Sequence, residues 1–470
     1  MSLTPFRVEH DFLGDKQIPA QAYWGVHTAR AVENFPISGT QLSAMPELIR
    51  AFGHVKKAAA KANLQLGVLD AARVQAICAA CDLLIEGRFH DQFVVDVIQG
   101  GAGTSTNMNA NEVIANLALE AMGHEKGRYE VLHPNDHVNA SQSTNDVYPT
   151  AVRLALWMGI DGLLAAMATL RHGFAAKAEE FKDVLKIGRT QLQDAVPMTL
   201  GQEFSTYAVM LEEDEARLRE ARALIQEVNL GATAIGTGIN APHGYAELAC
   251  RLLAEQSGIP VVKSHNLVEA TQDTGAFVQL SGVLKRIATK LSKTCNDLRL
   301  LSSGPQAGFG DIKLPPRQAG SSIMPGKVNP VIPEVVNQVA FEVIGNDMTV
   351  TMASEAGQLQ LNAFEPIMGW SLHKSITHLS NACLTLNTQC VAGIEANRDV
   401  LARRVRESIT LVTALNPIIG YEKAALIAKT AIATGQPVDQ VAQTLGIMTR
   451  EQIEALLVPE KLTQPLRLSA

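Results

Sequence analysis

The chain has 470 residues, of which 47% are hydrophobic and only 19% are charged. This length exceeds that of one ordinary domain, and the scarcity of charge predicts an oligomer that buries apolar surface between subunits. A net charge of −7 disfavours a nucleic-acid partner, because no basic face is available to follow the phosphates.

The N-terminal sequence MSLTPFRVEHDFLG lacks the apolar core of a secretory signal, and no run approaches the roughly 18 apolar residues that span a membrane. Six scattered cysteines suit a reducing compartment. Cys78 and Cys81 form a CxxC, but no second pair lies nearby, and the surrounding AARVQAICAACDLL is typical of an alanine-rich helix. We therefore predict a cytoplasmic protein without membrane contact.

Three regions of different texture predict three domains. Residues 1–145 combine short segments broken by Gly, Pro and Asn, which predicts a mixed N-terminal domain. Residues 146–395 contain few prolines and long runs with helical spacing, which predicts a bundle of helices. Residues 396–470 have the pattern of short helices joined by Gly and Pro turns, which predicts a small C-terminal helical domain.

Two apolar series in the central region indicate long helices. Each follows a three–four spacing with one polar exception, Asp214 or Thr294, and each predicts a helix of roughly 30 residues, or about 45 Å. A third helix is predicted beside Pro330 and Pro333, which suit a first turn. The two series are Phe204, Tyr207, Leu211, Leu218, Ala221, Ile225 and Val228, and Leu280, Leu284, Ile287, Leu291, Leu298 and Leu301.

Four distant segments are rich in Ser, Thr, Asn and Gly, namely 100–111, 139–146, 188–204 and 320–330. Such residues bind carboxylates through hydroxyls, amides and backbone N–H groups, although turns and helix caps use the same residue types. Neither GATAIGTG nor GSSIMPGKV has the spacing and residues of a nucleotide-binding P-loop. Four such segments together favour a carboxylate-binding site.

The segment GSSIMPGKVNP resembles the signature of the fumarase/aspartase superfamily, and the other three segments resemble its remaining conserved regions in the same order. YWGVHTARAVENFPIS and SQSTNDVYPT are more similar to the aspartase branch than to fumarases. This resemblance covers essentially the whole chain. It implies a mainly α, three-domain fold whose long central helices form a multi-helix core in a homotetramer, with each active site shared by three subunits.

The resemblance also implies an activity, the reversible deamination of L-aspartate to fumarate and ammonia. In this family a general base removes the Cβ proton and an aci-carboxylate intermediate forms. No cofactor is required, although some aspartases respond to divalent cations such as magnesium. By position, Ser321 resembles the general base, and it lies on a flexible loop, 317–330, that closes over the substrate.

The other residues carried over by position bind the substrate, and they divide by the substrate group that they meet. The group for the α-carboxylate comprises Lys327, Asn329 and Thr190. The group for the β-carboxylate comprises Thr104, Ser143, Thr144 and Ser322. The group for the ammonium comprises Asn145, Thr104 and Gln191.

Serine is a poor base unless its alkoxide is stabilised. Backbone N–H groups of the loop bounded by Gly320, Pro325 and Gly326 are therefore predicted to form a small oxyanion pocket at Ser321, to which Lys327 adds positive charge.

Alternatives stay open at several positions. Fumarate hydratase is the runner-up on the same fold, but Gln191 stands where many members have His, and an amide cannot exchange a proton with Glu334. A non-catalytic helical scaffold would predict substitutions around Ser321, and none is present. His27 either assists activity or packs the N-terminal domain, and the segment from His133 to Asp136 is either a secondary dicarboxylate site or a tight turn.

Overall fold

A computed structural model describes residues 5–465, and it confirms the mainly α-helical fold. Residues 1–4, the start of the segment that argued against a secretory signal, and residues 466–470 lie outside the described part. The helices are α1 Val26–Asn34, α2 Pro46–Gln65, α3 Ala71–Ile85, α4 Thr104–Ala121, α5 Thr144–Glu180, α6 Leu200–Leu224, α7 Tyr245–Ser257, α8 Leu267–Ala270, α9 Gly275–Leu301, α10 Val331–Glu355, α11 Glu365–Gln389, α12 Arg398–Glu407, α13 Leu411–Ile419, α14 Tyr421–Thr434, α15 Val438–Thr444, α16 Arg450–Glu454 and α17 Pro459–Leu462.

The strands form small two-stranded ladders. Three are antiparallel (β1 with β2, β3 with β4, β7 with β8), and the ladder of β5 with β6 is parallel. The strands are β1 Phe6–Asp11, β2 Gly14–Pro19, β3 Leu185–Thr190, β4 Gln193–Thr199, β5 Glu227–Val228, β6 Val262–Lys263, β7 Ile312–Lys313 and β8 Glu395–Ala396.

The chain divides into two compact units. Unit 1 comprises Met1–Leu164, Ala216–Arg286 and Glu342–His378, and unit 2 comprises Ala165–Glu215, Ile287–Phe341 and Leu379–Ala470. The three-domain boundaries after residues 145 and 395 stay a prediction.

The two apolar series are buried, which explains the length of α6 and α9. Every member that lies within these helices is at most 6% exposed, and the helices have 25 and 27 residues. The first series nevertheless predicted a helix that extends too far towards the C-terminus. Ile225 and Val228 lie beyond the end of α6, because Val228 pairs with Lys263 in the β5–β6 ladder. The third helix begins at Val331, as its prolines predicted.

Helix α5 has 37 residues and differs from the expectation that no segment is apolar enough to span a membrane. By length and composition alone it could cross a membrane, with a mean hydropathy of 1.5 over its most apolar window. Of that window, 61% is buried inside the protein. This degree of burial is typical of a core helix, and core helices pass the same test.

Unit 1 packs α2 against α3 and α7, and α3 against α4. The buried face of α2 includes Phe52, Val55 and Ala59, and it also includes Lys56, which is fully buried. A buried lysine requires polar partners, since an unpaired charge in a core is costly. Its partners belong to the candidate site described below.

In unit 2, the C-terminal helices pack on the β3–β4 hairpin. Ile187 of β3 shares a hydrophobic cluster with Val405 of α12 and with Leu411 and Leu415 of α13. This packing fixes the base of the hairpin, whose tip carries two of the predicted substrate residues.

Replacing Glu365 by Gln is expected to flatten the pH dependence of stability. Burial raises the pKa of Glu365 to about 8, above an ordinary value of 4.5. The protonated acid therefore makes its full contribution to the free energy of unfolding below pH 4.5. This contribution falls as the pH rises towards 8, by up to about 1.4 kcal/mol per pH unit. Urea unfolding at pH 5.5 and 7.5, at one protein concentration, should show wild type losing stability relative to Glu365→Gln. Parallel changes in both proteins would contradict this.

Candidate active site

Two predicted segments meet in unit 1 where two helices begin. Helix α4 begins at Thr104 and α5 begins at Thr144. A Cβ on Gly103 would be 2.4 Å from the ring of Tyr148, which lies one turn into α5. The two N-termini therefore lie close together. Gly103 has φ +87°, a left-handed conformation that glycine adopts without strain. Helix N-termini offer free N–H groups and positive potential, so this corner suits an anion.

The hydroxyls at the start of α5 are arranged as donors. Thr144 Oγ1 accepts a hydrogen bond of 3.0 Å from Asn107 Nδ2, and Ser143 Oγ accepts one of 3.2 Å from the backbone N–H of Asn145. A hydroxyl that accepts from the protein keeps its own proton for a ligand. Thr104 differs, because its Oγ1 donates to the carbonyl of Gly101 at 2.8 Å.

The Asn145 side chain is arranged as an acceptor. Its Nδ2 donates to the carbonyl of Ala234 at 2.7 Å, which fixes the orientation of the amide. Within residues 5–465, no hydrogen bond is made to its Oδ1. A fixed, unoccupied amide oxygen is suited to a cationic N–H donor.

A buried network that the sequence analysis missed supports this corner. Lys56 Nζ donates to Asn139 Oδ1 at 2.8 Å and to Gln142 Oε1 at 3.0 Å. Asn139 Oδ1 also accepts from Asn107 Nδ2, the group that holds Thr144. Three hydrogen bonds in series thus connect Lys56 to Thr144, a predicted substrate residue. Its place on the buried face of α2, four residues after Phe52, was the signal that could have identified it.

Asp146 supports the same segment from the other side. One carboxylate oxygen accepts from the backbone N–H of Ser143, and the other accepts from those of Gly231 and Thr233. Burial raises the pKa of Asp146 to about 6 and lowers that of Lys56 to about 7, while the charge of each favours ionisation of the other. The two groups therefore tie together the segments around 56, 143 and 231.

The second group of predicted residues lies on the loop of unit 2. Gly320 N donates to the carbonyl of Lys327 at 2.8 Å, and Asn329 Nδ2 donates to the carbonyl of Gly320 at 2.7 Å. These bonds close 320–327 into a narrow turn. A Cβ on Gly320 would lie 2.7 Å from the carbonyl oxygen of Lys327, so only glycine fits without displacement.

The Ser321 hydroxyl lies inside this turn. Its Oγ accepts hydrogen bonds from the backbone N–H groups of Ile323, at 3.2 Å, and Met324, at 3.1 Å. Two N–H donors on one hydroxyl oxygen stabilise negative charge there. They form the pocket that the composition of the loop predicted.

The remaining loop residues are available to a ligand. Lys327 and Ser322 are exposed, and within the described part of the chain neither side chain has a hydrogen-bond or ion-pair partner. The amide of Asn329 has a second N–H beyond the one that binds Gly320. The loop that holds Ser321 therefore also carries a free cation and two polar groups.

Thr190 and Gln191 lie at the tip of the β3–β4 hairpin, which the sequence analysis placed among helices. Gln191 and Leu192 have φ of 53° and 62°, as in a two-residue turn that normally takes Asn or Gly. Such backbone strain in an exposed glutamine is typical of functional sites. No hydrogen bond between described residues joins this tip to Ser321.

At His27 and at the segment from His133 to Asp136, the structure favours the structural alternative. The backbone N–H of His27 donates to Glu112 Oε1 at 2.8 Å, and burial lowers the pKa of its imidazole. His133 Nδ1 accepts from the backbone N–H of Asn135 and Asp136, so it caps the short π-helical turn Pro134–Val138. Both interactions organise backbone.

No group of three or more His, Cys, Asp or Glu side chains with a geometry for metal binding is present among residues 5–465. All six cysteines, including Cys78 and Cys81, are free thiols.

Replacing Gly320 by Ala is expected to lower kcat at least 10-fold, with little loss of global stability. The added Cβ must displace the carbonyl of Lys327 and the N–H of Asn329, and it thereby opens the turn around Ser321. Gly326→Ala is the matched comparison, since nothing lies within 4 Å of its Cβ, although its φ of +81° carries ordinary backbone strain. Steady-state kinetics test this, and equal activities of Gly320→Ala and wild type would contradict it.

Comparison with known proteins gives matches along most of the chain. Residues 14–345 match the family described as Lyase, and residues 411–464 match the one described as Fumarase C C-terminus. Aspartate ammonia-lyase of Helicobacter pylori is 58% identical over 459 residues, which is 98% of this chain and 98% of that protein. Aspartate ammonia-lyase of Escherichia coli K12 is 54% identical over 460 residues, 98% of this chain and 96% of that one.

Solved structures give the same fold. The structure described as fumarate lyase:delta crystallin from Brucella melitensis bound to cobalt has a TM-score of 0.95 and 57% identity, and covers 98% of this chain and 100% of its own. The class II fumarase of Schistosoma mansoni has a TM-score of 0.90 and 33% identity, and it covers 97% of this chain and 99% of its own.

Proposed function

Because the chain belongs to the family described as Lyase, and matches proteins named aspartate ammonia-lyase over nearly its full length, we propose that it deaminates L-aspartate reversibly to fumarate and ammonia. The observation that carries the mechanism is the Ser321 hydroxyl oxygen, held by two backbone N–H donors in a turn that only Gly320 permits.

The proposed base is the alkoxide of Ser321. The Ile323 and Met324 N–H groups, with the charge of Lys327 on the same loop, lower the cost of losing the serine proton to solvent water before the substrate binds. The alkoxide takes the Cβ proton of aspartate as a new O–H bond, and the C–H electron pair moves into the β-carboxylate as an aci-carboxylate. That pair then forms the C=C bond of fumarate as the C–N bond breaks and ammonia leaves.

The aci-carboxylate needs donors where its second negative charge develops. Ser143 and Thr144 supply hydroxyl protons from the N-terminus of α5, and we add the hydroxyl of Ser322. Thr104 joins the set only when its hydroxyl turns from the carbonyl of Gly101 to the substrate. Donors that are already oriented cost no reorganisation when the charge develops, and removing one typically raises the barrier by about 3–4 kcal/mol.

The other two substrate groups take different partners. We assign the α-carboxylate to Lys327, Asn329 and Thr190, since an unpaired cation and N–H donors suit a carboxylate. We assign the ammonium to the open Oδ1 of Asn145, together with Thr104 and Gln191. An amide at position 191 accepts from an ammonium but cannot shuttle a proton to water, which favours the ammonia-lyase over the hydratase.

This chemistry is proton transfer and elimination, so we propose that it requires no cofactor. Activity with EDTA and with added magnesium checks that statement. The free thiols suit the cytoplasmic location predicted from the sequence.

The function is tested by incubating the purified protein with L-aspartate and following the fumarate ultraviolet band. We expect fumarate and ammonia in equal amounts, with no fumarate from L-malate or D-aspartate. Fumarate from L-malate, and none from L-aspartate, would identify the hydratase instead.

We also propose a homotetramer whose active sites combine residues from neighbouring subunits. An apolar stripe on α10 supports this, because Phe341, Met348 and Met352 are 63%, 61% and 64% exposed and their spacing of seven and four places them on one face. Exposed apolar stripes of this kind mark protein interfaces.

Replacing Phe341 by Asp is expected to dissociate the assembly and to reduce activity with it, because a buried unpaired charge is costly at an interface. Size-exclusion chromatography with light scattering measures the mass. Tyr421→Asp, on the 76% exposed Tyr421 of α14, is the control and should remain a fully active tetramer. A Phe341→Asp protein of unchanged mass would overturn the placement of the interface.

A further inference from the structure

A cavity of about 280 Å³ lies in unit 1, beside the end of α6, β5 and the start of α9. Its charged lining residues are Arg153, Glu227, Glu269 and Asp273. None of them belongs to the substrate-binding set, and the proposed reaction uses none of them.

Arg153 is the unusual member of this lining. The side chain is only 8% exposed, yet its sole hydrogen bond among residues 5–465 is a long one of 3.4 Å from Nη1 to the carbonyl of Leu224. No carboxylate of the described residues lies within 4 Å of it, and its other neighbour is the ring of Phe277, 5.1 Å from the guanidinium carbon. A guanidinium has five N–H donors, so most of them lack a protein acceptor. Because Arg153 lines the cavity, a ligand there can reach them.

The charges around Arg153 are arranged by depth. Among the acids that act on Arg153, Glu365 has the strongest effect, and it is buried. Burial raises the pKa of Glu365 to about 8, so this acid is mostly uncharged at neutral pH. The rim carries the negative charge, since Glu227, Glu269 and Asp273 are exposed. Asp273 also accepts the backbone N–H of Gly275 at 3.0 Å, which fixes its position. The cavity thus has a cationic floor and an anionic rim.

We propose that this cavity binds a cationic α-amino acid, with its α-carboxylate on Arg153 and its ammonium groups among Glu227, Glu269 and Asp273. A carboxylate matches the fork of a guanidinium and takes two of its donors at once. Three carboxylates outnumber the single guanidinium, so a ligand with two positive groups and one negative group fits the charges. L-Aspartate brings a second carboxylate against the rim and fits poorly. The volume, at the lower end of ligand pockets, suits a molecule of this size.

Isothermal titration calorimetry of the full chain with L-lysine tests the proposal, with fumarate present to occupy the substrate site. We expect a dissociation constant of about 1 mM or tighter. Cadaverine, which lacks the carboxylate, and hexanoate, which lacks both ammonium groups, should each bind at least 10-fold more weakly.

Substitutions locate the site. The double variant Glu227→Gln/Glu269→Gln, at two exposed residues, should weaken the binding of L-lysine at least 10-fold. Glu255 is an exposed acid on α7 away from the cavity lining, so Glu255→Gln should leave the affinity for L-lysine unchanged. Arg153→Met should abolish binding, but because Arg153 is buried the rim pair is the primary test. Failure of L-lysine to bind at about 10 mM, equal affinity in the rim variant and wild type, or cadaverine binding as tightly as L-lysine would each overturn the proposal.

Discussion

Replacing Ser321 by Ala is expected to lower kcat for L-aspartate by about 10²–10⁴-fold, the range that a positioned general base contributes. The reason is local: the two backbone N–H groups that hold Ser321 Oγ remain, but no oxygen is left to take the Cβ proton. KM should change much less, because Lys327 and Asn329 still bind the α-carboxylate. Steady-state kinetics on both proteins measure the two parameters separately.

A matched control is available on the same unit. Ser205 of α6 is exposed, and its hydroxyl donates only to the carbonyl of Gln202 in its own helix, so Ser205→Ala should retain full activity. If Ser321→Ala retained more than a third of wild-type kcat, the assignment of the base would be wrong.

Replacing Lys56 by Met is expected to destabilise the protein and to reduce activity together. Asn139 Oδ1 and Gln142 Oε1 both lose their charged donor. Asn139 Oδ1 keeps its donors Asn107 and Asn111, but Gln142 Oε1 is left unpaired, which costs about 1–3 kcal/mol. Activity should fall at least 10-fold even where the protein stays folded, because Asn139 Oδ1 also accepts a hydrogen bond from Asn107, the residue that orients Thr144. Urea unfolding and kcat measure the two effects.

The comparison for this prediction is Lys61→Met. Lys61 lies on the same helix, is half-buried and makes no hydrogen bond or ion pair among residues 5–465. The Lys61→Met variant should have a free energy of unfolding within about 0.5 kcal/mol of that of wild type. Equal stability and activity of Lys56→Met and Lys61→Met would show that Lys56 does not support the site.

The family and the helical architecture could be predicted because their signals are local in sequence. The apolar series in α6 and α9 repeats with the helical period, and Pro330 marks where α10 begins. The family prediction from GSSIMPGKVNP and the three other segments is confirmed by the relatives. The pocket at Ser321 was predictable in kind, since Gly and Pro bound a turn whose N–H groups converge.

The supporting residues depend on contacts distant in sequence, which no local pattern encodes. Lys56 meets Asn139 across 83 residues, and Asp146 meets Gly231 across 85. The β3–β4 hairpin was missed because its tip uses Gln191 and Leu192 where turn signals usually have Asn or Gly. The end of α6 was placed too late because Val228 is buried in a strand, and burial alone does not distinguish strand from helix.

The proposed reaction is tested most directly by mixing the purified protein with fumarate, with and without ¹⁵N-labelled ammonium, and identifying the product by NMR. We expect ¹⁵N-labelled L-aspartate only when ammonium is present, no malate in either sample, and no conversion by Ser321→Ala over the same period. Malate formed without ammonium, or labelled aspartate formed as fast by Ser321→Ala as by wild type, would contradict it.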